Sequence, residues 1–427
     1  MGKQMLLSKW LYKAFSLVFI ALIMIWCVLS LFTCVKEIQN RTDKQGFYSE
    51  AEITFSSNGK GSFKVIKLVD KAKSMFEEDT KSENLLFPPV IELKMSSDKY
   101  FYNYNLTTAR SGTGSNIIDY DDIVVRHSSG QLSYLIDDAE LTEHLNIIKE
   151  FNKDLDRESI PYLLLLSPSK NGNLESEYEN VYFDYHQSKL NEILEYCDEN
   201  NIDTISMENV FYDLGMSEDN VFFRTDHHWL PQSGLIGCDE VARWLETYGF
   251  NYDGSVYKES SYNITLNDSP MLGSHARQVT TVYSETDFLP ILTPKYDSSL
   301  TVYRSSDDAH VEGKIEETLY DYSRLDVFDR YSEDQYWFYS YGDMELLSIH
   351  NNLVTNGKRL LVLKQSFADC MVPYLTNTAE YIDVIDLRKF KGSLQSFMES
   401  NKPDAVVMVY GLSTFSDYTS TSYFDFE

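Results

Sequence analysis

Two short polar segments carry the residue types that nucleophilic catalysis requires. Ser366 lies in the run LVLKQSFADC, directly after an apolar stretch that predicts a buried strand and directly before a predicted helix. A serine at such a turn presents its hydroxyl at the edge of the sheet, where helix N-terminal amides can stabilise an oxyanion. The alternative interpretation is an ordinary helix N-cap, because serine is common at that position.

The second segment is Arg224-Thr225-Asp226-His227-His228-Trp229, ahead of a predicted helix that opens at Pro231. In extended backbone, residues two apart point the same way, so Asp226 and His228 can face one cavity while His227 faces elsewhere. A polar turn capping the helix would explain Asp226, but it leaves both histidines without a role. Together the two segments supply a nucleophile, a base and an orienting carboxylate, as in a Ser-His-Asp triad.

Composition and charge argue against several functional classes. The 427 residues include 37 Lys plus Arg and 66 Asp plus Glu, which gives a formal net charge of −29. Nucleic acid is therefore not expected as a partner, because phosphate binding needs a concentrated basic face. The same charge argues against a peripheral protein held by anionic lipid.

Neither a metal nor a cofactor is predicted. The five cysteines contain no CxxC pair, which argues against a zinc ribbon or a thioredoxin-like site. Metal-dependent phosphoesterases also contain Asp-His-His, but they need further Asp and His ligands. This sequence has no Gly-Gly-His.

The N-terminal segment has the features of a membrane anchor. An uncharged apolar run from Ala14 to Val35 is long enough to cross a hydrocarbon core of about 30 Å. Three lysines precede it and place the N-terminus in the cytoplasm by the positive-inside rule: Lys3, Lys9 and Lys13. A cleaved signal peptide is the alternative, but its apolar region is normally shorter and followed by small residues. We therefore predict a signal anchor over residues 1–36, with the rest of the chain extracytoplasmic.

The remaining sequence divides into two parts. Residues 37–130 contain one predicted helix, Val65–Phe76, and strand-like pieces at Val90–Lys94 and Ile123–Arg126. This part is interpreted as a stalk or an N-terminal subdomain. Residues 131–427 are predicted to form one α/β domain with a β-rich insertion at about 250–350.

Within that domain, predicted strands alternate with predicted helices. The strands are predicted at Pro161–Ser167, Ile202–Ser206, Arg359–Lys364, Ile382–Asp386 and Ala405–Tyr410. The helices are predicted at Asp137–Asp156, Gln187–Asn200, Pro231–Tyr248, Phe367–Thr378 and Ser393–Ser400. This alternation predicts a parallel sheet with right-handed crossovers and helices on both faces.

Several short motifs, taken in order, resemble one family. They are RTDHHW at 224–229, MLGSHAR at 271–277, YGDMELLSIHNN at 341–352, LLVLKQSFADCMVPYL at 360–375 and VIDLRKF at 384–390. From about residue 130 to the C-terminus the chain resembles the DHHW family, which is similar to alginate O-acetyltransferase-type SGNH hydrolase-like proteins of bacterial cell surfaces. The resemblance implies a flavodoxin-like SGNH fold and maps Asp226, His228 and Ser366 onto the catalytic triad.

The resemblance also implies an activity and a partner. The implied activity is acetyl transfer to, or acetyl removal from, a cell-surface or exported polysaccharide through an acetyl-serine intermediate. A membrane-bound O-acyltransferase that delivers the acetyl group across the bilayer is the implied partner.

The sequence departs from such motifs at two places. The residue before the serine is usually Asp, whereas here it is Gln365. The Gly-x-Asn-Asp oxyanion block is missing, so the oxyanion donors are expected to be the Ser366 amide plus a group near Gly273 or Gly411. These departures leave open a second interpretation, in which the chain is a non-catalytic anchored binding or assembly component of a polysaccharide-modification complex.

Other residues are assigned supporting roles. Lys170, Arg388 and Ser413 are candidates for substrate contact, although surface charge or a structural ion pair is the favoured explanation for Lys170 and for Arg388. Three further residues are expected to support the triad without reacting: His227, Trp229 and Gln365.

Overall fold

The computed structural model describes residues 124–126, 130–134, 136, 138–170, 185–279, 285–326, 334–416 and 421–426. The predicted signal anchor lies outside these residues, as do the predicted helix Val65–Phe76 and the strand-like Val90–Lys94. In the part of the chain that the structure does describe, no helix combines the length and the apolar character needed to cross a bilayer.

The strands belong to one large sheet and two small ones. In chain order they are β1 (Val124–Arg126), β2 (Leu132–Tyr134), β3 (Tyr162–Ser167), β4 (Asp203–Ser206), β5 (Tyr262–Leu266), β6 (Pro290–Pro294), β7 (Leu300–Arg304), β8 (Ala309–Gly313), β9 (Leu346–Asn351), β10 (Arg359–Lys364), β11 (Tyr381–Ile385) and β12 (Ala405–Gly411). The large sheet has the order β4-β3-β12-β10-β11-β9-β7-β8, while β1 pairs with β2 and β5 pairs with β6.

The helices follow the alternation expected from the sequence. They are α1 (Thr142–Glu158), α2 (His186–Glu199), α3 (Met207–Asp213), α4 (Glu218–Val221), α5 (Pro231–Glu246), α6 (Ser274–Val279), α7 (Ile315–Thr318), α8 (Val372–Leu375), α9 (Leu394–Asn401) and α10 (Leu412–Ser416). Helix α5 opens with Pro231 in its first turn, where the missing proline N–H costs no hydrogen bond.

The five strands predicted to form a parallel sheet do so, and three strands from the predicted β-rich insertion extend that sheet in antiparallel pairing. Strands β4, β3, β12, β10 and β11 run parallel, but β9 pairs antiparallel with β11, β7 with β9 and β8 with β7. The short link between β7 and β8 requires antiparallel pairing, because a parallel pair needs a crossover of about a dozen residues. The β-rich segment around 250–350 therefore supplies three strands to the large sheet, whereas its strands β5 and β6 pair with each other apart from it.

The parallel strands are buried on both faces. In β3, Leu163 and Leu165 pack into one apolar cluster, whereas Leu164 and Leu166 pack into the other. In β12 the same alternation separates Val407 from Met408. Continuous apolar runs of this kind are expected where helices cover both sides of a parallel sheet.

The predicted helix Phe367–Thr378 is wrong. The chain forms a 3₁₀ turn over Ser366–Ala368 and then the single helical turn α8. Pro373 is the second residue of α8 and has no N–H to continue a helix that began at residue 367. The interruption leaves room for a buried ion pair beneath the turn.

That ion pair joins Lys364, the last residue of β10, to Asp369. The Lys364 ammonium lies 2.5 Å from Asp369 Oδ1, and both side chains are fully buried. Lys364 Nζ also donates to the carbonyl oxygen of Gly342 at 2.9 Å. Because the pair spans Gln365 and Ser366, it ties together the two ends of the turn that carries the candidate nucleophile.

We expect Lys364→Met to lower the free energy of unfolding by about 3 kcal/mol, the lower end for breaking a buried ion pair. The lower end applies because burial raises the pKa of Asp369 to about 7, so the carboxyl can take up a proton. The double variant Lys364→Met/Asp369→Leu should recover much of the loss, as measured by urea unfolding.

The matched control is Lys358→Met, which breaks the more exposed pair with Asp404 and should cost at most about 1 kcal/mol. A double variant as unstable as the single one would contradict the proposed cost of an unpaired Asp369.

Candidate active site

Two chain segments meet at the carboxyl edge of the parallel strands. His228 Nε2 lies 2.7 Å from Ser366 Oγ, and His228 Nδ1 lies 2.6 Å from Asp226 Oδ1. Asp226 is fully buried, and His228 and Ser366 are 2% and 8% exposed. The structure thus brings the three side chains predicted from the sequence into one continuous line of hydrogen bonds.

The Asp226 carboxylate is held by several donors. Its Oδ1 accepts from the backbone N–H of His228 at 2.9 Å, and its Oδ2 accepts from the backbone N–H of Ser274 at 2.7 Å. Burial alone would raise the pKa of Asp226, but the adjacent His228 and His227 and the hydrogen bonds lower it well below its usual value. The carboxylate therefore stays charged, as a group that orients an imidazole must.

Gly273 allows this arrangement because it has no side chain. A Cβ at position 273 would lie 2.3 Å from the Cβ of Asp226, which is a severe clash. The Gly273 amide donates to Thr225 Oγ1 at 3.0 Å. It is therefore engaged in holding the loop, and the structure assigns it a structural contact in place of the predicted oxyanion role.

A second carboxylate clamps the start of the same loop. Asp287 accepts from the backbone N–H groups of Arg224 and Thr225 at 3.0 and 2.7 Å. Its Oδ2 also lies 2.5 Å from Thr225 Oγ1. These contacts fix the backbone from which Asp226 and His228 project.

Aromatic rings fix the plane of His228. The ring of Tyr336 stacks on it with centroids 3.9 Å apart and planes 7° from parallel, and Phe367 packs against its edge at 5.1 Å. The predicted supporting residue Trp229 is fully buried and donates from Nε1 to the carbonyl oxygen of Phe367 at 2.9 Å. Ring stacking and this hydrogen bond restrict the imidazole to the orientation that faces Ser366.

The segment from residue 224 to 228 is bent and not extended, so the predicted alternation is not observed. His227 lies beside His228, with ring centroids 3.7 Å apart and its Nδ1 3.5 Å from Asp226 Oδ1, so the prediction that it faces elsewhere is wrong. Its Nδ1 lies 2.7 Å from Ser274 Oγ, and its side chain is 36% exposed. Partial burial and the adjacent His228 lower the pKa of His227, so the ring is neutral near pH 7.

Gln365 occupies the position where related motifs carry Asp. Its Oε1 accepts from the Gly411 amide at 2.7 Å and from Thr414 Oγ1 at 3.0 Å. Gln365 thus ties the end of β12 to the turn that carries Ser366. The Gly411 amide is accordingly engaged with Gln365.

The three candidates for substrate contact lie in different surroundings. Lys170 is buried and donates to the carbonyl oxygens of Leu132 and Arg224 at 2.8 and 3.1 Å. Arg388 pairs with Asp386 and Asp343, which makes it a structural cation. Ser413 lies exposed on α10.

One group of side chains has the spacing of a metal site. A carboxylate oxygen of Asp226 and ring nitrogens of His227 and His228 lie within 4.8 Å of one another. Both nitrogens of His228, however, already lie at hydrogen-bonding distance from Asp226 and Ser366. A cation there would have to replace one of these contacts, so the geometry favours the hydrogen-bonded arrangement.

Sequence reasoning did not single out three residues that shape this site: Tyr336, Ser274 and Asp287. Each lies far along the chain from Asp226 and reaches it only through the fold. The MLGSHAR motif at 271–277 was a signal for Ser274, but nothing in its pattern indicated that its amide binds a carboxylate.

We expect the free energy of unfolding to depend on pH through His275, which is 2% exposed beside the loop. Burial, with Lys170 and His227 nearby, lowers its pKa well below the usual value. The unfolded chain protonates this ring near pH 6.5 and the folded chain does not, so stability is lost as pH falls below that value.

Urea unfolding between pH 5 and 6 measures how steeply the free energy of unfolding rises with pH. This slope should be smaller in His275→Leu than in the wild type by about 1.4 kcal/mol per pH unit. The control His310→Gln replaces an exposed histidine and should keep the wild-type slope. An unchanged slope in His275→Leu would show that this ring does not carry the effect.

Comparison with known proteins agrees with this architecture. Residues 128–281 match the family model described as "SGNH hydrolase-like domain, acetyltransferase AlgX". Bacillus cereus PatB1 is similar in structure, with a TM-score of 0.55 and 21% identity over 72% of this chain and 100% of PatB1. A DHHW family protein from Eubacterium siraeum has a TM-score of 0.53 and 17% identity over 70% of this chain and 97% of its own.

A search of curated proteins finds no match. At these identities the two solved structures establish the fold, and the family model adds a match in sequence that includes the RTDHHW and MLGSHAR motifs. The resemblance predicted from the sequence is confirmed: this chain has the fold of PatB1 and of a DHHW family protein, and its residues 128–281 resemble the SGNH hydrolase-like domain of AlgX-type acetyltransferases.

Proposed function

We propose that this protein is a serine-dependent O-acetyltransferase or acetylesterase that acts on a cell-surface or exported polysaccharide. The observation that carries the proposal is the line of hydrogen bonds from Ser366 Oγ through His228 to Asp226, with 2.7 and 2.6 Å separations. A serine hydroxyl is a weak nucleophile until a base accepts its proton, and this geometry supplies that base.

In the first half-reaction, Ser366 Oγ attacks the carbonyl carbon of an acetyl ester while its proton passes to His228 Nε2. The charged Asp226 stabilises the resulting imidazolium through Nδ1. The bond to the donor oxygen then breaks, and His228 returns the proton to that oxygen. An acetyl-Ser366 ester and a free donor hydroxyl remain.

In the second half-reaction, a hydroxyl group attacks the acetyl carbon and gives its proton to His228 Nε2. The ester bond to Ser366 breaks, and Ser366 Oγ regains its proton. A sugar hydroxyl as attacking group gives transfer, and water gives hydrolysis, so both outcomes share the first half-reaction.

The negative oxygen of the tetrahedral intermediates requires hydrogen-bond donors. The Ser366 amide opens the 3₁₀ turn, and the first N–H groups of a helical turn have no acceptor within it. The Gly273 and Gly411 amides are engaged with Thr225 and Gln365. The Ser366 amide is therefore our first choice as oxyanion donor.

The proposal includes location and a partner. The apolar run Ala14–Val35 supports an N-terminal membrane anchor with the α/β domain outside the cytoplasm. Acetyl donors made inside the cell would then need a membrane-bound O-acyltransferase to present the acetyl group at the outer surface.

The purified full chain should hydrolyse 4-nitrophenyl acetate, and Ser366→Ala should lower that rate by about 10³-fold or more, because it removes the attacking oxygen. The control is Ser188→Ala, which removes an exposed hydroxyl on α2 and should keep wild-type activity. Full activity in Ser366→Ala would exclude Ser366 as nucleophile, and an inactive wild-type chain would favour a non-catalytic binding or assembly component.

The two adjacent histidines should respond differently to substitution. His228→Ala should lower kcat/KM by about 10³-fold, because it removes the base, and it should also lower the thermal unfolding midpoint, because the buried Asp226 loses its imidazole partner. His227→Ala should lower the midpoint and affect kcat/KM less, since its ring contacts Ser274 and not Ser366. Equally mild effects of both variants would contradict the choice of His228 as base.

A further inference from the structure

A cavity of about 280 Å³ lies beside the carboxyl ends of β3 and β4. Its polar lining includes Ser169 and Lys170, which follow β3, and Glu208, which follows β4. Its apolar lining includes three aromatic rings: Phe211, Tyr212 and Phe222. None of the three residues proposed to carry the acetyl chemistry lines it, so this is a separate site on the same edge of the sheet.

The cavity and the candidate active site share one loop. Phe222, in the cavity wall, pairs with Trp229 in an isolated β-bridge, and the loop that this bridge closes carries Asp226 and His228. Lys170 donates from the cavity side to the carbonyl oxygen of Arg224, within that loop. A ligand seated in the cavity would therefore lie directly beside the backbone that positions the base.

The polar groups in the cavity are held in place. One oxygen of Glu208 accepts from the Ser169 amide at 2.9 Å, and the carboxylate also lies 2.8 Å from His186 Nε2. A carboxylate has about four acceptor positions, so two remain for a ligand. Lys170 has three N–H donors, of which the carbonyl oxygens of Leu132 and Arg224 take two.

The aromatic groups provide the complementary surface. Phe211 and Phe222 are buried, whereas Tyr212 is 71% exposed at the end of α3. An exposed ring beside a donor and an acceptor suits a pyranose, which has an apolar face and hydroxyl groups around its edge. The volume lies just below the range of about 300–1,000 Å³ for drug-sized ligands, which indicates one sugar unit.

The charged residues around the cavity determine which class of sugar it can bind. Among the described residues that line the cavity, two are acidic, Glu208 and Glu218, and one is basic, Lys170. The chain as a whole has a formal charge of −29. A sugar unit that carries a carboxylate or phosphate would meet repulsion both in the cavity and on approach.

We propose that this cavity is the subsite for one non-anionic pyranose unit of the acceptor polysaccharide. The proposal rests on the proposed function, since it names the class of acceptor that the acetylated serine would meet. The bound unit anchors the glycan beside the loop that carries His228, and a hydroxyl of a neighbouring unit reaches Ser366.

The test is a titration of the wild-type full chain, without an acetyl donor, by isothermal titration calorimetry. The neutral probes are tetrasaccharides of glucose, mannose, galactose and N-acetylglucosamine, and the anionic probes are tetraglucuronate and tetragalacturonate. At least one neutral probe should bind, with an affinity at least tenfold above that of the anionic probes. Binding by no neutral probe, or tighter binding by an anionic one, would overturn the proposal.

Two variants assign the binding to this cavity. Tyr212→Ala should weaken binding of the neutral probe about tenfold, the size expected for losing one aromatic contact of about 1.4 kcal/mol. The matched control Tyr322→Ala removes a ring that is 54% exposed elsewhere and should bind as the wild type does. An equal loss in both variants, or none in Tyr212→Ala, would place the sugar elsewhere and reject the cavity.

Glu218→Gln tests the charge argument, since it keeps the side-chain shape and should raise the affinity for tetraglucuronate several-fold. An unchanged ratio between the affinities for neutral and anionic probes would reject this basis of selection.

Hydrolysis of 4-nitrophenyl acetate distinguishes failure of the subsite proposal from failure of the proposed function. A chain that hydrolyses it but binds no neutral probe refutes the subsite alone, whereas a chain that binds a neutral probe and has no esterase activity refutes the acetyl chemistry.

Discussion

The site depends on a close contact between two segments that lie 138 residues apart. His228 reaches Ser366 at 2.7 Å, and its neighbour Trp229 donates to the carbonyl oxygen of Phe367 at 2.9 Å. Two consecutive residues of one segment thus bind two consecutive residues of the other. The hydrogen bond from Trp229 fixes which residues of the two segments face each other. The contact between His228 and Ser366 is the one that can carry out chemistry.

Small residues on α5 permit this approach. A Cβ at Gly234 would lie 2.5 Å from Cys370 Sγ, and a Cβ at Gly237 would lie 3.0 Å from the Trp229 ring. Helix α5 can therefore pack its backbone against the indole and against the segment after Ser366. Because protein interiors are close-packed, a larger side chain at either position would have to displace the indole or the turn.

The buried charges at this site have partners. Asp226 receives backbone amides and an imidazole, and Lys364 and Asp369 neutralise each other beneath the turn. An unpaired charge in such surroundings would cost several kcal/mol, so the turn and the loop can hold their side chains only while the whole set is intact. The same holds at the proposed sugar subsite, because the ammonium of Lys170 binds a carbonyl oxygen of the loop and also lines the cavity.

Much of the fold and of the site could be predicted from local sequence. The strand Arg359–Lys364 was predicted with the bounds that the structure has, because an apolar run between polar turns specifies a strand without reference to distant residues. Ser366, Asp226 and His228 stood out for a related reason, since their types and their places at strand and helix ends are local properties.

Tertiary packing decided the rest. The helix predicted after Ser366 is broken because of Pro373 and a buried ion pair. The sequence period did not indicate this break, because it reflects only the spacing of apolar residues. The antiparallel strands β7–β9, the stacking of Tyr336 on His228 and the clamp by Asp287 all join segments remote along the chain. The spacing of hydrophobic residues along a helix or strand determines which of its faces is buried. Only the packed structure determines which distant side chain contacts that face.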